Sequence, residues 1–465
     1  MKNVRAAKTS SIKKSTLTFV LCLAAAIGLS FLVSEPGYTQ SQKYVLFLLF
    51  FAIGLWFTEV IPPFAVGLFI ISFLVFALGN PYFNSAPEKI EVYVNTFSSS
   101  VIWLMLGGFF LAVAMTKTKL DEELFKFTIR VSGTKPRNLV IGLMGTTMIA
   151  SMLMSNTATT AMVIAAVMPL LNKLGKSAGL TKALLLGVPI AATTGGMGTI
   201  IGSPPNAIAA GAIEHAGFKM DFLTWMLYGT PLAFFLTGIA CFVLIVVYVK
   251  DNRAISLHFL RETKIHLSKE LKLQRKIVLS VIVTTIVLWL TGTLHGITVA
   301  AVSAVPIVAL TLTKVLKGED IRSMPWDTLL LVAGGLSLGL ALQQAGLMDH
   351  YANKLSHLNI GEMAFLFLFA FLTMVFSNIM SNTATSTVLI PLSMAILIGM
   401  KTEVALIVGL SASTALFLPV STPPNAIAYS TGMIEQKDFR LGGLLVGLIG
   451  PALVILWVVW VSQLK

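Results

Sequence analysis

The amino-acid sequence predicts an all-α polytopic membrane protein with about 11 transmembrane helices and two re-entrant hairpins, built as an inverted-topology repeat. Three observations carry this prediction. Of the 465 residues, 56% are hydrophobic and only 11% are charged, whereas a soluble protein carries about a quarter charged residues. The hydrophobic residues form runs that can cross a bilayer, which takes about 20 residues for a helix. Several short polar motifs of the first half recur in the second half.

The apolar runs give the transmembrane path in order. The first run, 17–33, follows a basic N-terminal arm, and because no small-x-small cleavage site follows it we interpret it as a membrane helix rather than a signal peptide. The runs 183–212 and 404–431 are too long for one simple span. The single spans are predicted near 17–33, 44–60, 64–79, 100–116, 225–249, 277–293, 297–313, 328–345 and 441–462.

Two further apolar stretches, 139–172 and 363–398, are predicted to enter and leave the membrane on the same side. The first is shorter than the roughly 40 residues that two spans and a turn require. Treating both as hairpins, with a cytoplasmic N-terminus and an extracytoplasmic C-terminus, puts most of the 33 Lys and Arg residues on the cytoplasmic side, as the positive-inside rule requires. The rule also accounts for the net charge of +13, so no nucleic-acid partner is predicted.

Self-comparison divides the chain into two copies of one unit, 44–215 and 277–434. The predicted topology gives the copies opposite orientations, which is typical of secondary transporters. Outside the repeats lie an N-terminal arm with the first helix (1–43), a helix with a basic linker (216–276) and a last helix (435–465). The linker part 250–276 is predicted as an amphipathic surface helix or a solvated loop. The recurring motifs are Ser155-Asn156-Thr157-Ala158-Thr159 with Ser381-Asn382-Thr383-Ala384-Thr385, Pro204-Pro205-Asn206 with Pro423-Pro424-Asn425, and Gly107-Gly108 with Gly334-Gly335.

The repeated motifs predict an anion site at membrane depth. Each Ser-Asn-Thr motif lies mid-hairpin, and each double proline breaks a long helix. The four half-helices that follow would each present about half a positive charge at their N-termini, which suits a dianion. No Lys, Arg or His lies within either motif, so hydroxyls, amides and backbone N–H groups would hold the ligand.

The same motifs predict a cation site in each hairpin. Ser151 lies one helical turn before Ser155, and Ser377 lies one turn before Ser381. With the asparagine that follows each pair, these side chains offer the oxygen ligands that hard cations take. A proton-coupled design would more often bury Asp, Glu or His, and the hairpin cores contain none, so sodium coupling is favoured.

At these residues the sequence resembles the divalent anion/sodium symporter family, whose members carry dicarboxylates or citrate, and the Glu59-Val60-Ile61-Pro62 turn is similar as well. The resemblance implies a homodimer that works by an elevator mechanism, with about two sodium sites. Met380 would contribute its backbone carbonyl, and position 421 is often Ala or Gly in the family. The resemblance implies that substrate contacts Asn156, Thr157, Ser203, Asn382, Thr383, Thr422 and Pro423. It implies sodium ligands at Ser151, Ser155, Asn156 and Gly202 for one ion, and at Ser377, Met380, Ser381, Asn382 and Ser421 for the other.

The expected function is a sodium-coupled symporter of C4 dicarboxylates such as succinate, malate and fumarate, located in the plasma (inner) membrane. The alternatives are a sodium-independent dicarboxylate exchanger and a transporter of citrate, sulfate or another divalent anion. An intramembrane enzyme with Ser155 or Ser381 as nucleophile is disfavoured, because activation needs a nearby base and neither hairpin core holds one. A channel is a further reading, which currents far above carrier turnover would favour.

Overall fold

The computed structural model describes residues 2–84, 87, 89–255, 268–356 and 361–464, and within them it is helical without a strand. The first half holds α1 (Lys2–Val33), α2 (Gln40–Thr58), α3 (Pro63–Gly79), α4 (Glu91–Val94), α5 (Ser100–Lys117), α6 (Leu120–Ser132), α7 (Pro136–Ser151), α8 (Asn156–Leu174), α9 (Gly179–Gly195), α10 (Pro204–His215) and α11 (Phe222–Tyr248). The second half holds α12 (Lys269–Leu290), α13 (Gly292–His295), α14 (Val299–Leu312), α15 (Gly318–Arg322), α16 (Trp326–Gln344), α17 (Leu347–Ser356), α18 (Glu362–Ile379), α19 (Asn382–Ile396), α20 (Lys401–Ala412), α21 (Pro423–Ser430) and α22 (Phe439–Ser462).

The predicted all-helical membrane fold is confirmed. Ten helices in the described ranges are long and apolar enough to cross a bilayer, or eleven if the pair α19 and 398–412, bent by 116°, counts as one span. The span that contains α9 is 94% buried, whereas the span within α1 is 17% buried. Large apolar side chains such as Leu32 and Phe76 are exposed around the outside. An apolar exterior around a buried, polar-motif-bearing centre is what a lipid environment favours.

The two long runs 183–212 and 404–431 are interrupted, and the interruption precedes the prolines. α9 ends at Gly195 and α10 begins at Pro204, while α20 ends at Ala412 and α21 begins at Pro423. The prolines therefore start the second helices, at positions where a missing N–H costs nothing. The predicted break is present in both runs, but each break lies just before the double prolines rather than at them. Two short 3₁₀ turns fill the first gap, 196–198 and 200–202.

Two amphipathic helices, α6 and α17, were not predicted from the sequence. α6 and α17 each connect a glycine-pair helix to the helix that leads into a Ser-Asn-Thr motif, and each has a polar and an apolar face. Their runs of apolar residues are too short and too interrupted by charge to resemble spans. In the linker 250–276, residues 251–255 are not helical, 269–276 belong to α12, and 256–267 lie outside the described residues.

Helices of one half pack against helices of the other half that are not their counterparts in the repeat. α3 packs against α16 and α14 packs against α5, although α3 corresponds to α14 and α5 to α16 in the order of elements. Glycines permit both contacts: a Cβ on Gly334 would overlap the backbone of Gly67, and a Cβ on Gly107 would lie 2.9 Å from Ser303 Cβ. Similarly, α10 packs on α19 and α20, whereas α21 packs on α8 and α9. Each half is thus completed by elements of the other.

Candidate functional site

A cavity of about 930 Å³ lies where the two Ser-Asn-Thr motifs and the two Pro-Pro segments meet. Its lining includes twelve of the fourteen residues that the sequence analysis singled out. The other two, Ser151 and Ser377, are fully buried and do not line it. The structure therefore brings motifs from distant parts of the chain to one place. The twelve are Ser155, Asn156, Thr157, Gly202, Ser203, Met380, Ser381, Asn382, Thr383, Ser421, Thr422 and Pro423.

Serine caps create the two Ser-Asn-Thr turns. Ser155 and Ser381 have extended backbones, with φ and ψ of −63° and 141° and of −69° and 147°. Their Oγ atoms accept hydrogen bonds from Ala158 N at 3.2 Å and Ala384 N at 3.1 Å. α8 and α19 begin directly afterwards, at the asparagines. The first N–H groups of a helix lack partners within it, so both turns offer donors beside the cavity.

The Pro-Pro segments contribute hydroxyls rather than backbone donors. Prolines occupy the first two helical positions of α10 and α21, where an N–H could otherwise face an anion. Ser203 and Thr422 directly precede them with extended backbones and line the cavity. The expectation of four equivalent half-helix N-termini thus needs correction, because two of them lack their leading N–H groups.

The asparagines of the Pro-Pro-Asn motifs stabilise the breaks. Asn206 Nδ2 donates to the carbonyls of Gly196 and Thr199, both at 2.7 Å. Asn425 Nδ2 donates to the carbonyls of Leu416 and Leu418 at 3.2 and 3.0 Å. Carbonyls freed by a broken helix need such partners inside a membrane protein. The repetition of this asparagine is therefore explained by local architecture.

Four oxygens converge in the first half. One terminal atom of the Asn156 side-chain amide points inward. This atom lies 2.6 Å from Ser151 Oγ, 3.0 Å from the Ala192 carbonyl oxygen and 3.2 Å from the Gly202 carbonyl oxygen. With Oδ1 turned inward, the four atoms form an acceptor-rich cluster that fits a hard cation. With Nδ2 turned inward, the amide satisfies the same oxygens itself. Gly196 permits the approach, because a Cβ there would lie 2.5 Å from the Asn156 amide and 2.9 Å from the Gly202 carbonyl oxygen.

The corresponding place in the second half has unpaired oxygens. Ser377 Oγ and Asn382 Oδ1 are buried and have no hydrogen-bond partner among the described residues. A buried polar atom left unpaired costs about 1–3 kcal/mol, so a ligand that binds both atoms would recover free energy. Oxygen donors without thiolate or imidazole fit an alkali or alkaline-earth cation. Among the described residues, no group of three His, Cys, Asp or Glu could hold a metal ion.

A second part of the cavity wall was not predicted. It comes from the end of α2, from α5 and from the start of α16. Glu59 is the only charged residue in the described lining; it follows α2 in a left-handed conformation with φ of 48°. The Glu59-Val60-Ile61-Pro62 turn was noticed in the sequence, but nothing there tied it to the motifs. The wall residues are Phe57, Thr58, Glu59, Met105, Gly108, Phe109, Ala112, Pro325 and Thr328.

Comparisons with known proteins agree with this architecture. The family model described as "Sodium:sulfate symporter transmembrane region" matches residues 13–464. The sodium-dependent dicarboxylate transporter SdcS of Staphylococcus aureus strain USA300 is 27% identical over 455 residues, which covers 90% of this chain and 86% of SdcS. SdcS of strain MW2 matches to the same extent.

Two solved transporter structures share the fold. The YdaH transporter of Alcanivorax borkumensis superposes with a TM-score of 0.59 at 12% identity, covering 86% of this chain and 99% of that one. MtrF of Neisseria gonorrhoeae, described as illuminating a class of antimetabolite efflux pumps, superposes with a TM-score of 0.54 at 12% identity, covering 87% and 96%.

Proposed function

The chain belongs to the sodium:sulfate symporter family of membrane transporters, and on that premise we propose that it is a sodium-coupled symporter of C4 dicarboxylates such as succinate, malate and fumarate. One observation carries the proposal. Oxygen clusters suited to cations flank a cavity whose motif-bearing wall is neutral and rich in hydroxyls and amides. The name of SdcS, a sodium-dependent dicarboxylate transporter, supports the same substrate class.

In this proposal the substrate is held from both halves. Its carboxylates accept hydrogen bonds from the leading N–H groups and side chains of the two Ser-Asn-Thr turns, and from the hydroxyls of the two Pro-Pro segments. Backbone N–H groups at helix starts favour anions. The substrate residues are Asn156, Thr157, Ser203, Asn382, Thr383, Thr422 and Pro423.

Two sodium ions complete the proposed site. One binds at Ser151, Ser155, Asn156 and Gly202, where the convergence of Asn156 with two carbonyls supports the assignment. The other binds at Ser377, Met380, Ser381, Asn382 and Ser421, where the unpaired oxygens support it. Because desolvating carboxylates is costly, two adjacent cations stabilise a bound dianion and couple its affinity to sodium.

The same proposal includes the mode of movement. The two halves have opposite membrane orientations, with the N-terminus cytoplasmic and the C-terminus extracytoplasmic, in the plasma (inner) membrane. Each protomer of a homodimer carries substrate by an elevator movement. The exchanged packing of corresponding helices supports a repeat that can alternate between two arrangements.

Uptake into proteoliposomes tests the function. We expect labelled succinate to accumulate only with an inward sodium gradient. Asn156→Ala and Asn382→Ala should abolish accumulation, while Asn172→Ala, at an exposed position of α8, should retain it. Accumulation that is indifferent to sodium, with counterflow intact, would instead indicate an exchanger.

The description of the family favours one further candidate, a transporter of sulfate. Competition decides between the substrates in the same assay. Excess unlabelled succinate, malate or fumarate should suppress uptake, whereas sulfate and citrate should not. Stronger suppression by sulfate would replace the dicarboxylate assignment.

A further inference from the structure

A side-chain connection joins the end of α18 to the break before α21. Ser421 Oγ donates to Asn378 Oδ1 at 2.8 Å and accepts from Leu418 N at 2.9 Å. Asn378 Oδ1 also accepts from Phe417 N at 2.9 Å, and its Nδ2 donates to the Met374 carbonyl at 2.9 Å. We call the pair Asn378 and Ser421 the second clasp. It crosses from one hairpin helix to a non-helical segment that lies 43 residues further along the chain.

The first half makes the same connection with different atoms. Thr199 Oγ1 donates to the Met152 carbonyl at 2.5 Å and accepts from Gly202 N at 3.1 Å. We call Thr199 and Met152 the first clasp. The motif alignment pairs Met152 with Asn378, Thr199 with Leu418 and Gly202 with Ser421. In each half one side-chain hydroxyl bonds both a backbone N–H of the helix break and a group of the hairpin. In the first half this hydroxyl belongs to Thr199, at the start of the turn 199–202. In the second half it belongs to Ser421, at the end of the turn 418–421.

Each clasp lies beside proposed sodium ligands. Met152 follows Ser151, and Asn378 follows Ser377. The other ends of the clasps lie at the turns that contain Gly202 and Ser421. The clasps therefore join the two chain segments from which each cation site is assembled. Because ligand geometry must be held within about 0.5 Å, loosening this connection should lower cation affinity.

The Ser421 hydroxyl is already engaged by two partners. Its proton goes to Asn378, and one of its two lone pairs accepts the Leu418 N–H. The side chain is 5% exposed. An Ala or Gly at this position could not make the connection, so the serine gives this chain a link that those residues cannot provide.

We infer, on the basis of the proposed function, that Asn378 positions Ser421, itself a proposed ligand of the second sodium ion, and that Thr199 is the positioning residue for the first sodium ion. They act by holding the hairpin turn against the helix break. Substrate binding at saturating sodium depends on them less, because bound cations then hold the two segments together.

The experiment uses Ser421→Ala, Asn378→Ala and the double variant in the full-length chain. Two quantities are measured: the sodium concentration that gives half of the thermal stabilisation of purified protein without dicarboxylate, and the sodium dependence of succinate uptake. We expect each single variant to raise both concentrations at least five-fold, with the larger effect for Asn378→Ala, which also frees Phe417 N. The double variant should be no worse than Asn378→Ala, because the two residues form one connection.

Ser393→Ala is the matched control, since Ser393 is buried in α19 and its hydroxyl donates to the Ile390 carbonyl of its own helix, its one hydrogen-bond partner within the described residues. It should leave sodium dependence unchanged, and the succinate KM of Asn378→Ala at saturating sodium should stay within two-fold of the wild type. Additive effects of the two substitutions would overturn the inference, as would an unchanged sodium response of Ser421→Ala. A wild-type protein without any sodium-dependent stabilisation or uptake would instead overturn the proposed function itself.

Discussion

A single carboxylate faces a cavity whose other described lining residues are neutral. Glu59 occupies the turn between α2 and α3, and its left-handed backbone sets it at the end of α2. The corresponding turn after α12 has Gly292, so the charge has no counterpart in the second half. The Glu59 carboxylate therefore has opposite effects on the two proposed ligands, because it attracts sodium but repels a dianion.

We predict that Glu59→Gln strengthens succinate binding a few-fold at low ionic strength. Removing one negative charge from the cavity wall weakens the repulsion of the dianion, and salt screens such interactions because the Debye length is about 10 Å at 0.1 M and about 3 Å at 1 M. Calorimetric titration at one fixed, low sodium concentration, with and without added choline chloride, measures the effect.

The gain should disappear at high choline chloride. Glu91→Gln, an exposed acid on α4 outside the cavity lining, serves as control and should bind succinate like the wild type. If Glu59→Gln binds succinate more weakly at both ionic strengths, Glu59 supports the site rather than repelling its ligand.

At the scale of elements, charged residues far away in the sequence hold the two amphipathic helices α6 and α17. The buried Arg275 of α12 donates from Nε to the Thr118 carbonyl at 2.8 Å and from Nη2 to the Lys119 carbonyl at 2.9 Å, and it pairs with Glu123 of α6. Glu35, after α1, pairs with Lys354 of α17, and His350 Nε2 lies 3.3 Å from a Glu35 carboxylate oxygen. The hydrogen bond from Lys354 lowers the pKa of the Glu35 carboxyl. Both helices are thus fixed at the ends of the bundle.

Arg275→Lys should lower the apparent melting temperature of the purified protein by a few degrees, and Arg275→Met should lower it further. Lysine keeps the charge but cannot reproduce a planar fork that reaches three acceptors, whereas methionine leaves two helix-end carbonyls and a carboxylate without this partner. Arg130→Lys, at an exposed position of α6, is the control and should melt like the wild type. Equal melting of all three variants would show that the Arg275 contacts do not stabilise the fold.

At the scale of the whole molecule, charge arithmetic links the proposed site to the membrane potential. Two sodium ions and one dianion sum to zero charge. Each uncompensated charge that crosses a potential of 100 mV gains or loses about 2.3 kcal/mol, equivalent to about 50-fold in accumulation. The number of cations that move with each substrate therefore decides whether transport responds to voltage.

We predict that sodium-driven succinate accumulation changes less than two-fold when a potential of −100 mV, negative inside, is imposed with potassium and valinomycin. The zero-potential condition, with equal potassium on both sides, is the control. A rise of ten-fold or more would require a third cation and would contradict the two-site stoichiometry.

The sequence by itself determined the class of fold and twelve residues of the cavity lining. Hydrophobic run lengths specify membrane helices, and Ser-Asn-Thr turns and prolines specify where helices begin, because both effects act between neighbours in the chain. It placed the helix breaks at the double prolines, whereas residues 196–202 and 413–422 lie just before them, and Asn206 and Asn425 bond the carbonyls of these segments.

Only the tertiary structure decided which atoms meet. The carbonyl of Ala192 reaches Asn156, the residues around Glu59 join the cavity lining, and Asn378 holds Ser421, all through contacts between separate parts of the chain. Such contacts depend on how glycine-lined helices approach one another, which no local sequence pattern encodes. Residue types and turns are thus readable along the chain, while the convergence of their oxygens is a property of packing.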